Sequence, residues 1–144
     1  MSFARTALLV EDSPDDSFFF QRALKKGNIP CNLKHVTDGR MAIDFLRDCQ
    51  SRPDLLPDIV FLDLKMPVVN GFEVLEWLRS QPPLPSTPVV VLSGSNEESD
   101  KRRAKELGAA GYIVKPVLSS QICEWLEKID LRRPQPQPCA TSRP

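Results

Sequence analysis

Short apolar runs recur along the chain at residues 6–10, 58–62, 88–92 and 111–114, and each leads directly into a polar residue. Continuous apolar runs of this length, without polar alternation, mark strands covered on both faces. Residues 32–36 read as one further strand. Between the strands, residues 14–26, 40–48, 71–80, 97–107 and 119–129 carry the period of an amphipathic helix. The element order is therefore (βα)5.

Strands that alternate with helices require crossovers of one hand and helices on both faces of a mostly parallel sheet. The expectation is an α/β fold, a flavodoxin-like doubly wound parallel sheet of five strands in the order 2-1-3-4-5. Local signals support the boundaries. Ser13 followed by Pro14 is a cap with proline in the first turn, Ser119 stands at the head of the last helix, and Gly27 and Gly108 close two helices. A chain of 144 residues has room for one core. The domain is expected over residues 1–131. Residues 132–144 alternate proline and glutamine, which predicts a disordered tail. Two connections are rich in proline, one with Pro53 and Pro57, the other with Pro82, Pro83, Pro85 and Pro88.

The 19 basic and 19 acidic residues cancel, so no net field draws the chain to nucleic acid or to an anionic membrane. Cys31, Cys49, Cys123 and Cys139 follow neither a zinc pattern nor a Cys-x-x-Cys pair, which predicts free thiols in a reducing compartment. The apolar run near the N-terminus is too short for a signal segment or a membrane span. These features predict a cytoplasmic protein without direct nucleic-acid or membrane binding.

In an open parallel sheet, ligands bind beyond the carboxyl ends of the strands, near the point where the winding reverses. Strand 1 runs into Glu11 and Asp12, strand 3 into Asp63, strand 4 into Ser93 and strand 5 into Lys115. Three close carboxylates repel one another unless a cation neutralises them, and Lys115 offsets one charge. The remainder suits a hard divalent ion, Mg²⁺ with Mn²⁺ as the alternative, held by Asp12 and Asp63 with Glu11 acting through water. Once screened by metal and lysine, a carboxylate can attack phosphorus, and Asp63 is the predicted acceptor. Lys115 and the Ser93 hydroxyl would hold phosphoryl oxygens, and the small Gly94 leaves a donor room to approach.

The motifs LLVED at 8–12, VFLDLKMPVVNG at 60–71, VVVLSGS at 89–95 and GYIVKP at 111–116 together resemble the receiver domain of two-component response regulators over roughly residues 5–131. The resemblance is to a stand-alone receiver of the chemotaxis-regulator kind. It implies Asp63 as phosphoacceptor and Glu11, Asp12 and Asp63 as metal ligands, with the Lys65 backbone carbonyl completing the set. Ser93 becomes the switch hydroxyl, Lys115 the phosphoryl-binding lysine, Tyr112 the switch aromatic, and Lys115-Pro116 a cis peptide. Phosphorylation would draw Ser93 inward, turn Tyr112 and alter the face formed by helix 4, strand 5 and helix 5. Implied partners are a sensor histidine kinase or a histidine phosphotransfer protein, an output protein on that face, and a second copy in a homodimer. The chain would be no enzyme beyond catalysing its own phosphorylation and dephosphorylation. By position, Lys65 and Ser95 flank the route of attacking water and would tune phosphoryl lifetime. A loose likeness to stand-alone receivers paired with phytochrome-type kinases gives one hint about pathway.

Particular residues speak against rival functions or carry readings of their own. A phosphatase with an aspartate nucleophile needs a second aspartate where this chain has Lys65. A flavin-type phosphate loop would not read Glu-Asp-Ser-Pro-Asp-Asp. A phosphorelay intermediate and an unphosphorylated receiver scaffold stay open as roles. Asp15 and Asp16 fit a favourable place at the positive end of helix 1. His35 is expected to be structural and distant from the crevice. Phe19 and Phe20 are expected in the core and Phe18 outside it. Lys101, Arg102, Arg103 and Lys105 form a solvated face or a partner surface, and Trp125 would mark an interface if exposed.

Overall fold

A computed structural model describes residues 5–80 and 87–132. The expected tail beyond residue 132, the thiol of Cys139 and prolines 82, 83 and 85 lie outside the described residues. The strands are β1 (Arg5–Val10), β2 (Cys31–Val36), β3 (Ile59–Asp63), β4 (Val89–Ser93) and β5 (Gly111–Val114). The helices are α1 (Pro14–Lys26), α2 (Gly39–Ser51), α3 (Gly71–Arg79), α4 (Glu98–Glu106) and α5 (Ser119–Arg132), with a 3-10 turn at Pro53–Leu55. All five strands are parallel and lie in the order β2-β1-β3-β4-β5.

Register fixes where the strand ends meet. Val10 pairs with Val36 and Leu62, Asp63 with Leu92, and Ser93 with Val114. Glu11, Asp63, Ser93 and Lys115 therefore gather at the carboxyl-terminal end of the sheet. Alternate strand residues feed two cores. Leu8, Val10, Val60, Leu62 and Val91 pack with Leu46, Leu75, Leu78 and Ala104 from α2, α3 and α4. Ala7, Leu9, Phe61, Val90 and Ile113 pack with Phe20, Leu24, Ile122 and Leu126 from α1 and α5.

The caps follow the local sequence. Ser13 Oγ accepts from the Asp16 amide, Asp38 caps α2 through the Met41 amide, and Asn70 and Glu73 form a reciprocal capping box on α3. Ser119 opens α5 and donates its hydroxyl to the Ala23 carbonyl of α1 at 2.6 Å, joining the two helices on that face. Gly108, at φ 98, closes the turn after α4.

One side-chain expectation is corrected. Phe19 is 54% exposed, because the inward stripe of α1 runs through Ser17, Phe20, Ala23 and Leu24. Phe19 follows the turn toward solvent and meets Phe18 edge-on at 5.7 Å. Trp125 falls short of the exposure that would mark an interface. It packs half-buried on the α1–α5 core against Gly111, where any Cβ would overlap its ring. The basic face of α4 is partly engaged at home, with the Arg103 guanidinium 4.2 Å from the Phe72 ring centroid and Lys101 within 3.5 Å of Glu98. Cys31, Cys49 and Cys123 are free thiols. No described helix is long and apolar enough to cross a membrane.

Candidate functional site

The end of β1 turns sharply into α1, and this turn sets the acidic side of the site. Glu11 is buried at 2% exposure, and its Oε2 accepts the Ser13 amide at 3.2 Å. Asp12, next along the turn, faces solvent. Asp63, 5% exposed, ends the central strand β3. One carboxylate oxygen from each of Glu11, Asp12 and Asp63 lies within 4.8 Å of the others. Behind Asp63 the loop to α3 closes tightly. Gly71 donates to the Leu64 carbonyl at 2.9 Å, and a Cβ there would overlap the Asp63 carbonyl and Leu64 Cα.

Lys115 reaches in from the end of β5. Its Nζ is 2.7 Å from Asp16 Oδ2, 2.8 Å from Glu11 Oε1 and 3.5 Å from Asp63 Oδ1. The peptide that follows it, Lys115-Pro116, is cis. Burial, and then the neighbouring charge of Glu11, raise the Asp63 pKa from 3.8 to about 7 against the opposing pull of Lys115. Burial works against the Lys115 ammonium. Its hydrogen bonds to Asp16 and Glu11 and the charges of Asp63 and Glu11 outweigh that cost and hold its pKa above the ordinary lysine value. Acid is thus in excess around one lysine, and Asp63 bears most of the cost.

On the β4 side, Ser93 is buried, and its Oγ accepts the Ser95 amide at 3.0 Å. The Ser95 carbonyl accepts from the Tyr112 hydroxyl at 2.9 Å, and the Ser95 side chain accepts the Glu97 amide. Ser95 therefore connects the Ser93 hydroxyl to the half-buried Tyr112 ring. Gly94 is exposed, with open space where a Cβ would stand. Lys65 is exposed, and its amide lies 3.4 Å from Asp63 Oδ1.

The family model of the response regulator receiver domain matches residues 7–127. The chain belongs to this family. It is 37% identical over 114 residues to the response regulator Rcp1 of Synechocystis sp., covering 77% of this chain and 76% of Rcp1. The bacteriophytochrome response regulator AtBRR superposes with a TM-score of 0.76 at 36% identity, over 90% of this chain and 94% of that one. A structure of the Mn²⁺-bound form of Rcp1 superposes with a TM-score of 0.69 at 33% identity, covering 88% and 91%.

The receiver's acidic cluster passes the chemical test for a metal. It offers hard oxygen donors, and its excess negative charge, felt most at Asp63, is what a divalent cation relieves. Two features went unread in the sequence. Asp16 does more than favour the helix dipole, because its carboxylate grips Lys115. His35 is not distant from the crevice. Its Nε2–H donates to the Glu11 carbonyl at 3.0 Å, and its Nδ1 takes the Ser17 hydroxyl at 3.4 Å, so the imidazole fixes the backbone beneath the acids. Neither contact has a local signal, because each is made across the fold.

Proposed function

We propose that this receiver accepts a phosphoryl group on Asp63 from a sensor histidine kinase or a histidine phosphotransfer protein, and signals by changing what binds its α4–β5–α5 face. The observation that carries the reading is the meeting of Asp63, Glu11 and Asp12 within 4.8 Å, with Lys115 3.5 Å from Asp63. Glu11, Asp12, Asp63 and the Lys65 carbonyl would hold Mg²⁺ or Mn²⁺, which supplies positive charge to screen an anionic donor. The Asp63 carboxylate oxygen attacks phosphorus, the bond from phosphorus to the histidine nitrogen breaks, and the departing imidazole takes a proton. Lys115 and the Ser93 hydroxyl receive the phosphoryl oxygens, and the open side at Gly94 admits the donor. As Ser93 turns to the phosphoryl group, the Ser95 amide loses its acceptor and the Ser95–Tyr112 bond is free to rearrange. The change is a shift between two populations. Likeness to a bacteriophytochrome response regulator favours a phytochrome-type kinase as the first donor to assay.

Incubation with Mg²⁺ and acetyl phosphate tests the acceptor. The expected product on the wild-type chain is an acid-stable, base-labile phosphoryl group, lost in Asp63→Asn. Equal labelling of the two proteins would remove Asp63 from this role.

A further inference from the structure

We infer that Asp16 is a positioning residue for Lys115, one that holds the ammonium off the acceptor in the resting protein and thereby sets how readily Lys115 engages a phosphoryl group on Asp63. The inference rests on the proposed phosphoacceptor role of Asp63 and names a control on it.

Lys115 has three N–H donors, and its two shortest contacts go to acids other than the acceptor. At 2.7 Å to Asp16 and 2.8 Å to Glu11, these are charge-assisted hydrogen bonds, whereas 3.5 Å to Asp63 is beyond good hydrogen-bond length. Glu11 belongs to the metal-capable cluster and Asp16 does not. The carboxylate of Asp16 thus competes for the lysine without contributing to the cation site. Its placement is built in. Pro14 and the Ser13 cap fix the first turn of α1, the cap bonding the amide of Asp16 itself, and from there the side chain crosses to a residue 99 positions away. The pair lines a cleft of about 290 Å³ between α1 and the segment after β5, bordered by Phe19 and Val117. The Asp16 side chain is 39% exposed and that of Lys115 17%, so water can take over the acid when the lysine leaves. For Nζ to bond oxygens on Asp63 it must move toward β3, and the contact with Asp16 has to lengthen. Loss of the Asp16 carboxylate removes the competitor while Glu11 and Asp63 keep theirs.

The test measures beryllium trifluoride affinity in saturating Mg²⁺, alongside Mg²⁺ affinity alone, for wild type, Asp16→Asn, Asp16→Ser and Asp15→Asn. Asp15 is exposed on the same turn and carries the same charge, while the ion pairs of Lys115 go to Glu11, Asp16 and Asp63. The expected result is analogue binding at least about fivefold tighter in both Asp16 variants, Mg²⁺ affinity within about threefold of wild type, and wild-type behaviour in Asp15→Asn. A purely structural role would weaken both affinities together and would overturn the inference. Unchanged analogue binding in the Asp16 variants, or an equal gain in Asp15→Asn, would also overturn it. Wild-type protein that fails to bind the analogue in Mg²⁺ would instead sink the phosphoacceptor reading, and this inference with it.

Discussion

Asp63 occupies the last position of a strand buried on both faces, where an ionised carboxylate has little water and faces a second acid, Glu11. The consequence appears in stability when metal is removed. Its pKa rises from 3.8 to about 7 on folding, so the folded state binds the proton more tightly than the unfolded chain. The stabilisation this gives is complete below about pH 4 and is lost as pH rises through 7. Asp63→Asn carries no such loss. In EDTA, the variant is expected to exceed wild type at pH 8 by on the order of 3 kcal/mol, with the gap shrinking toward pH 5. Urea unfolding at the two pH values measures it, and a gap independent of pH would contradict the assignment of the cost to Asp63. That Asp63, Glu11 and Lys115 would meet was legible in the sequence because each directly follows an apolar run whose end the fold class places. Asp16 and His35 were not, because local chemistry already explained each of them, as a helix-end acid and a strand histidine.

At the scale of elements, the loop from β3 to α3 is tightly constrained. Gly71 begins α3 with its Cα against the backbone of Asp63 and Leu64. Backbone cannot step aside as a side-chain tip can, so Gly71→Ala must displace either the helix or the end of β3. A loss of about 2–3 kcal/mol is expected, together with reduced labelling by acetyl phosphate, whereas Asn70→Ala should cost about 1 kcal/mol through loss of the capping box alone. Chemical denaturation with both variants separates the effects, and equal losses would show that the close approach is relieved without cost. The helical pattern expected over residues 71–80 begins where the structure begins α3. The sequence could not show that Val68, a β-branched residue, holds φ 68 in the same loop, since nothing local requires it. Helix α1 shows the complementary limit. Three consecutive phenylalanines offer more than one inward stripe at 100° per residue, and the choice of Phe20 over Phe19 falls to packing against Phe61, whose ring centroid lies 5.0 Å away.

For the whole molecule, the strand order was legible because alternation, crossover hand and buried strands admit few windings. The same order divides the interior into two cores that touch only through the sheet. The sheet joins them mechanically, since successive residues of β1 and β3 point into opposite cores: Leu8 and Leu62 to one, Leu9 and Phe61 to the other. Loss of packing on one face should therefore loosen the strands that hold the other, and the chain should unfold as one unit. Leu75→Ala on the α2–α4 face and Leu126→Ala on the α1–α5 face are each expected to cost about 2–5 kcal/mol, with a single transition retained in each. Coincident loss of far-ultraviolet circular dichroism and tryptophan fluorescence is the measurement. Trp77 reports from the first core and Trp125 from the second, so one signal can be followed on each side by replacing the other tryptophan with phenylalanine. Midpoints that separate between the two reporters would show that the faces melt independently.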